Sequence, residues 1–167
     1  MRLISLLSAA LWVDFAVMAL IKIVPAPVWF LPPTGALSLW YDKFGLAAVT
    51  ADVLSLFLGV LLATFLFPGA MGLQLVMAAV FVQMVHDIFF YVVVIQGVPQ
   101  GQNEMIDVFK SYASEGSWKI LVADALMITS VVAFARLSDL FFSYRAIAFQ
   151  ALLGMYSLIY ITYTRSR

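Results

Sequence analysis

Five long, unbroken apolar runs constrain this chain more than any other feature. They fall at about 3–24, 46–67, 71–98, 118–136 and 144–163. A helix needs about 20 apolar residues to cross a hydrocarbon core, and each run approaches or exceeds that length. The runs are continuous rather than alternating, which excludes the period-two pattern of a membrane β-barrel. Composition agrees: 65% of residues are hydrophobic, 11% are charged and mean hydropathy is +1.05. Soluble domains carry roughly 25% charged residues, and no soluble core of this size buries so much apolar surface. The prediction is an all-α integral membrane bundle of five transmembrane helices. It forms one domain over residues 1–167, with the lipid bilayer as its partner.

The opening stretch "MRLISLLSAALWVDFAVMALIKIV" resembles a signal peptide only in outline. Its run is long enough to span, and Asp14 interrupts what would be the apolar core of a leader. It reads as the first transmembrane helix. Two connections are short, "PGA" and "RLSDLFFSY", and two are long, "PAPVWFLPPTGALSLWYDKFG" and "PQGQNEMIDVFKSYASEGS". Two helices separate the long connections, so both lie on one face of the membrane. Pro25, Pro27, Pro32 and Pro33 argue against helix in the first of them. In the second, Met105, Val108, Phe109 and Tyr112 recur at helical spacing. Glu104, Asp107, Lys110 and Ser114 fall opposite them. This predicts a short amphipathic helix at about 103–115, lying along the interface and ended by Gly116.

Lys22, Lys43, Lys110, Lys119, Arg165 and Arg167 flank the long-connection face, against Arg2, Arg136 and Arg145 on the other. The positive-inside rule then puts the C-terminus and long connections in the cytoplasm and the N-terminus outside. The formal net charge is zero, so nothing suggests nucleic acid as a partner. There is no cysteine, which excludes thiolate metal sites and cysteine nucleophiles. A single histidine excludes bis-histidine haem, and no lysine sits mid-membrane for a retinal Schiff base. No nucleophile-elbow motif is present, so no catalytic residue and no cofactor are assigned.

The polar residues inside the runs carry the functional argument. Asp14, Asp52, Asp87 and Asp124 place one carboxyl in each of the first four predicted helices, and the fifth has none. A charged residue at the bilayer centre costs roughly 2.5–3.5 kcal/mol on insertion scales. Counted along each helix, all four acids fall between the midplane and the long-connection face. Gln83, Asp87 and Tyr91 share one stripe of the third helix. Asp52, Ser55 and Gly59 share one of the second. The expected site is a polar cavity holding Asp14, Asp52, Gln83, His86, Asp87, Tyr91 and Asp124, deepest at Asp14 and Asp87. Trp40, Tyr41, Asp42, Asn103 and Glu104 are expected at its rim. His86, normally titrating near neutrality, is expected to face a neighbouring helix. Four carboxylates suit a hard cation; which metal, if any, the sequence leaves unknown.

The stretch "HDIFFYVVVIQGVPQGQNEMIDVFKSYASEGSWKILVADALMI" resembles uncharacterised multi-pass membrane proteins encoded by large DNA viruses of marine algae. The likeness rests on the "HD…FY" step, "NEMIDVFKSYASE" and the Asp of "VADALMI", about a quarter of the chain. It implies a viral or host membrane. It also implies that His86, Asp87, Asn103, Asp107, Lys110 and Asp124 act as a group.

The leading expectation is a small channel or transporter moving protons or small cations through the aspartate cluster, as a homo-oligomer given the short chain. One alternative is a non-catalytic assembly protein with the aspartates as interhelical glue. Another is an intramembrane enzyme on a lipid-like substrate, with His86 and Asp87 as its acid–base pair. A channel predicts a polar path to the short-connection face, an enzyme a pocket with lateral access to lipid, and glue dry, pairwise-bonded aspartates.

Overall fold

A computed structural model describes residues 1–23 and 35–164. Pro25, Pro27, Pro32 and Pro33 lie outside the described residues, as do Arg165 and Arg167 of the charge count. The described chain is all-α: α1 (Leu3–Ile23), α2 (Gly35–Phe44), α3 (Leu46–Leu66), α4 (Leu73–Phe89), α5 (Glu104–Gly116), α6 (Trp118–Phe141) and α7 (Tyr144–Thr162). Five of these stretches are long and apolar enough to cross a membrane: α1, α3, α4 with its continuation to Ile95, α6 and α7. The protein is a multi-pass membrane bundle.

α1, α3, α4 and α6 form the ring of acid-bearing helices. α1 packs on α3 and α6, α3 on α4, and α4 on α6. α7 lies outside the ring against α1, where Gly154 lets Leu11 and Trp12 approach closely and the Trp12 indole donates to the Gln150 carbonyl at 3.0 Å. The ends of α1 settle the alternation of the helices. At its start, Arg2 reaches the Asp139 carboxylate at 2.7 Å and the Phe142 carbonyl at 3.1 Å, near the end of α6. At its finish, Lys22 donates to the carbonyls of Thr162 and Thr164 at 2.7 and 2.8 Å and to Asp42 at 3.1 Å. The ends of α1 and α7 therefore meet α2 on the long-connection side. Lys43 and Glu104 pair at 3.2 Å, joining the two long connections to each other.

Three features depart from the sequence reading. The second half of the first long connection is helical, as α2. Its sequence, GALSLWYDKF, follows the prolines and buries Ala36, Trp40 and Tyr41. Its packing on α5 and α3, rather than strong local propensity, accounts for it. α6 runs to Phe141, not 136. Asp139 is tolerated near its end because Arg2 and Ser5 hydrogen-bond its carboxylate. Finally, α4 continues as a π-helix from Phe90 to Ile95. Beyond it, a side chain at Gly97 would collide with the Val93 carbonyl, so only glycine fits there.

α5 matches the amphipathic prediction. Asn103 caps it, its side-chain oxygen accepting from the backbone N–H of Met105 at 2.9 Å and of Ile106 at 3.2 Å. Its apolar face packs onto α2 and the π-helical segment. The Trp40 and Phe109 rings stand 4.5 Å apart, and those of Phe90 and Phe109 5.6 Å. Together α2 and α5 roof the ring on the long-connection side.

This arrangement makes a labelling prediction, since the chain has no cysteine of its own. Single cysteines at Gln74 and Gln102, both exposed, should react with an impermeant maleimide from opposite sides of the membrane. Labelling of both from one side would contradict the five-span arrangement.

Candidate functional site

Beneath the α2–α5 roof lies a cavity of about 680 Å³. Its carboxyls come from three helices: Asp52 of α3, Asp87 of α4 and Asp124 of α6. Each is about two turns from the long-connection end of its span, roughly 9–12 Å at helical rise. Trp40, Tyr41, Phe90, Tyr91, Phe109, Tyr112 and Trp118 supply aromatic walls. Among the described residues, His86 is the only lining side chain that can carry positive charge.

The carboxyls are held differently. The Trp40 indole donates to Asp52 Oδ2 at 3.1 Å, and the Tyr41 hydroxyl lies near the same group. Asp87 Oδ1 receives Gln83 Nε2 at 2.8 Å and contacts His86 Nδ1 at 3.1 Å, while its Oδ2 is buried and meets no donor among the described residues. Asp124 faces the cavity near Asp87, Asp52 and Tyr112. Burial, and then the neighbouring carboxyls, push the Tyr41 and Tyr112 hydroxyls well above the usual phenol range. Both phenols therefore stay neutral hydrogen-bonding groups at physiological pH.

Asp14 departs from expectation. It is fully buried in α1, and neither carboxyl oxygen meets a donor among the described residues. It lies behind the cavity wall, near Asp52 and Tyr41, whereas Val17 one turn further along reaches the cavity itself. The cavity thus gathers Asp52, Gln83, His86, Asp87, Tyr91 and Asp124 but not Asp14.

The rim assignment also changes. Trp40 and Tyr41 are 4% and 3% exposed and form the inner roof, where Trp40 is bonded to Asp52. Asn103 is spent on capping α5, and Asp42 and Glu104 are engaged by Lys22 and Lys43. Gly59 admits the Gln83 side chain rather than another backbone: a Cβ there would stand 3.1 Å from Gln83 Oε1. His86 does not face a neighbouring helix. Its side chain is 52% exposed, stacked on Phe90 and turned back onto Asp87. Neighbours on a helix point about 100° apart, but the imidazole is long enough to fold back onto the short carboxylate.

Two boundaries fix what the cavity can do. On the short-connection side, Val60, Ala79, Val131, Val132 and Ala135 are at most 1% exposed and form an aliphatic floor. On the flank of α4, His86, Ile88 and Tyr91 both line the cavity and are exposed, so it opens sideways at membrane depth. Among the described residues, no three His, Cys, Asp or Glu side chains come together closely enough to hold a metal ion. No two of the four aspartates are hydrogen-bonded to each other among the described residues.

Tyr112, Phe109 and Trp118 belong to the site but were not anticipated there. The apolar stripe of α5 did mark Phe109 and Tyr112 as facing something hydrophobic, and that something is the aromatic-walled cavity. Fold and site together define a multi-pass membrane protein with an acid-bearing, aromatic-walled intramembrane cavity. Set against protein-family models, curated proteins and solved structures, the chain matches none of them.

Proposed function

We propose that this protein binds an organic cation within the bilayer and acts as its carrier. The observation behind this reading is the character of the cavity. Among the described residues it has three carboxyls, seven aromatic side chains and no lysine or arginine in a volume of about 680 Å³. That volume suits a drug-sized ligand and is far larger than a dehydrated metal ion needs. Carboxylates with aromatic faces are the usual surroundings of an organic cation, because the ring quadrupole attracts positive charge and the ring excludes water. The sideways opening gives an amphipathic molecule a route from lipid. The aliphatic floor opposes a straight pore for protons or small cations, so passage to the far face requires a second conformation.

Benzyltrimethylammonium tests the reading against neopentylbenzene, which has the same shape with carbon in place of the charged nitrogen. The cation should quench intrinsic tryptophan fluorescence saturably, since Trp40 and Trp118 line the cavity, and it should be taken up by proteoliposomes. The neutral isostere should bind at least about tenfold more weakly, a difference of about 1.4 kcal/mol. Equal binding of the two would overturn the reading.

A further inference from the structure

The three cavity carboxyls differ in what they leave open, and the difference bears on the ligand's head group. We infer that Asp124 is the residue that takes the bound cation, and that the cation is a planar one with paired N–H donors, an amidinium or guanidinium. This rests on the cation-binding reading and deepens it.

Two of the carboxyls are already engaged. Asp52 gives Oδ2 to the Trp40 indole at 3.1 Å. Asp87 gives Oδ1 to the Gln83 amide at 2.8 Å and meets His86 Nδ1 with the same oxygen at 3.1 Å, and its Oδ2 is sealed by packing. Asp124 differs from both. Among the described residues, neither of its oxygens accepts a hydrogen bond. The side chain is partly exposed and lines the cavity. Asp87 Oδ2 and both oxygens of Asp14 are closed off from any visitor, but the oxygens of Asp124 are not. A ligand in the cavity can therefore reach both of them.

The surroundings explain why Asp124 stays unpartnered. On α6, the cavity-lining neighbours about one turn away are Ile120, Leu121 and Met127, and their side chains carry no donor. Across the cavity, Trp40 and Gln83 direct their N–H groups to Asp52 and Asp87. From α5, Tyr112 lies near Asp124 as a neutral phenol. The charged groups facing Asp124 are the carboxyls of Asp52 on α3 and Asp87 on α4, so no cation of the protein answers it there.

A carboxylate with both oxygens open presents two parallel acceptors, the complement of a two-donor fork. Amidinium and guanidinium groups carry that fork in one plane. A tetrahedral ammonium directs its hydrogens apart, and a quaternary ammonium has none to give. The walls suit the same head group. Planar delocalised cations are weakly hydrated and stack on aromatic faces, and Phe109, Tyr112 and Trp118 line the cavity with Asp124.

The test compares benzamidinium with N,N-dimethylbenzamidinium at pH 7. Both carry the charge and the ring, but the second has lost the N–H groups of one nitrogen and cannot make the fork. Affinities are read by tryptophan quenching on wild type, Asp124→Asn, Asp52→Asn and Asp87→Asn. Wild type should prefer benzamidinium at least about tenfold, or about 1.4 kcal/mol. Asp124→Asn should remove the preference, because an amide replaces one acceptor by a donor. Asp52→Asn and Asp87→Asn should weaken both cations together and keep the ratio. These two variants keep the assignment testable if Asp124→Asn does not fold: loss of the ratio in either would move the fork to another carboxyl and overturn the inference. Equal affinity in wild type, or a preference that survives Asp124→Asn, would overturn it too and leave the cation-binding reading standing. Binding of benzyltrimethylammonium without either amidinium would do the same. Failure of all three cations to bind wild type would overturn both.

Discussion

A lysine in place of Ser55 is expected to abolish organic-cation binding and, at the same time, to raise the melting temperature. Ser55 lies one turn beyond Asp52 on α3 and lines the cavity. Among the described residues the cavity holds three carboxyls and no lysine or arginine. The introduced ammonium would supply the missing positive charge from within, and its four-carbon stem would fill part of the space. Ser55→Lys should therefore weaken benzyltrimethylammonium binding about a hundredfold or more, since an internal ion pair outcompetes an external one. Stability should rise, because the buried carboxyls gain a permanent partner. Binding and thermal unfolding are read on the same detergent-solubilised sample. Loss of binding with a fall in stability would mean only that the lysine disrupts the fold. Unchanged binding would show that the ligand site lies elsewhere.

The second large effect concerns Lys22. Its ammonium is almost wholly buried, with the residue 3% exposed, yet it serves three acceptors on two elements. Two of these are carbonyls at the end of α7, where the helix dipole favours a cation. The third is Asp42 at the end of α2. Lys22→Met keeps the stem and removes the charge, leaving two terminal carbonyls and a carboxylate without their shared donor. The expected cost is about 3 kcal/mol, taking hydrogen bonds to a charged group at 1.5–3 kcal/mol. Much of the loss falls on the α1–α7 contact. Thermal unfolding monitored by circular dichroism checks it, and a shift as small as that of an exposed lysine variant such as Lys43→Met would refute the capping role.

How much of this was legible in the sequence varies by element. The five spans were visible because membrane solvation writes itself into composition: about 20 apolar residues in a row have few other uses. Their termini were less visible. The end of α6 is read at Arg136 in the sequence, with "RLSDLFFSY" as a short connection, so Ser138 and Asp139 fall outside the predicted helix. What keeps them helical is Arg2, 137 positions away from Asp139. α2 was hidden for a related reason. Its ten residues are held by α5 and α3, and no local periodicity reports such contacts.

The candidate site was legible in outline only. A count along each helix placed the acids between the midplane and the long-connection face, and Asp52, Asp87 and Asp124 do meet in one cavity. Depth does not fix rotation about the helix axis, however, and Asp14 points behind the wall. Trp40 and Tyr41 were expected at the rim because aromatic residues in loops usually mark the interface. Folding α2 inward turns them into the roof. The bend of His86 back onto Asp87 depends on rotamers, which no spacing rule encodes.

The π-helical stretch has a further consequence, for lengths rather than contacts. In residues 90–95 each backbone bond spans one residue more than in an α-helix, so the segment stores an extra residue within an otherwise continuous span. Elsewhere in α4, losing one residue would swing everything beyond it by about 100° and turn Asp87 or the following roof contacts out of register. Between Phe90 and Ile95, the same loss would restore ordinary α-helical winding and leave both flanks facing as they do now. This stretch is the one place along the span where the chain can change length while the walls of the cavity keep their orientation.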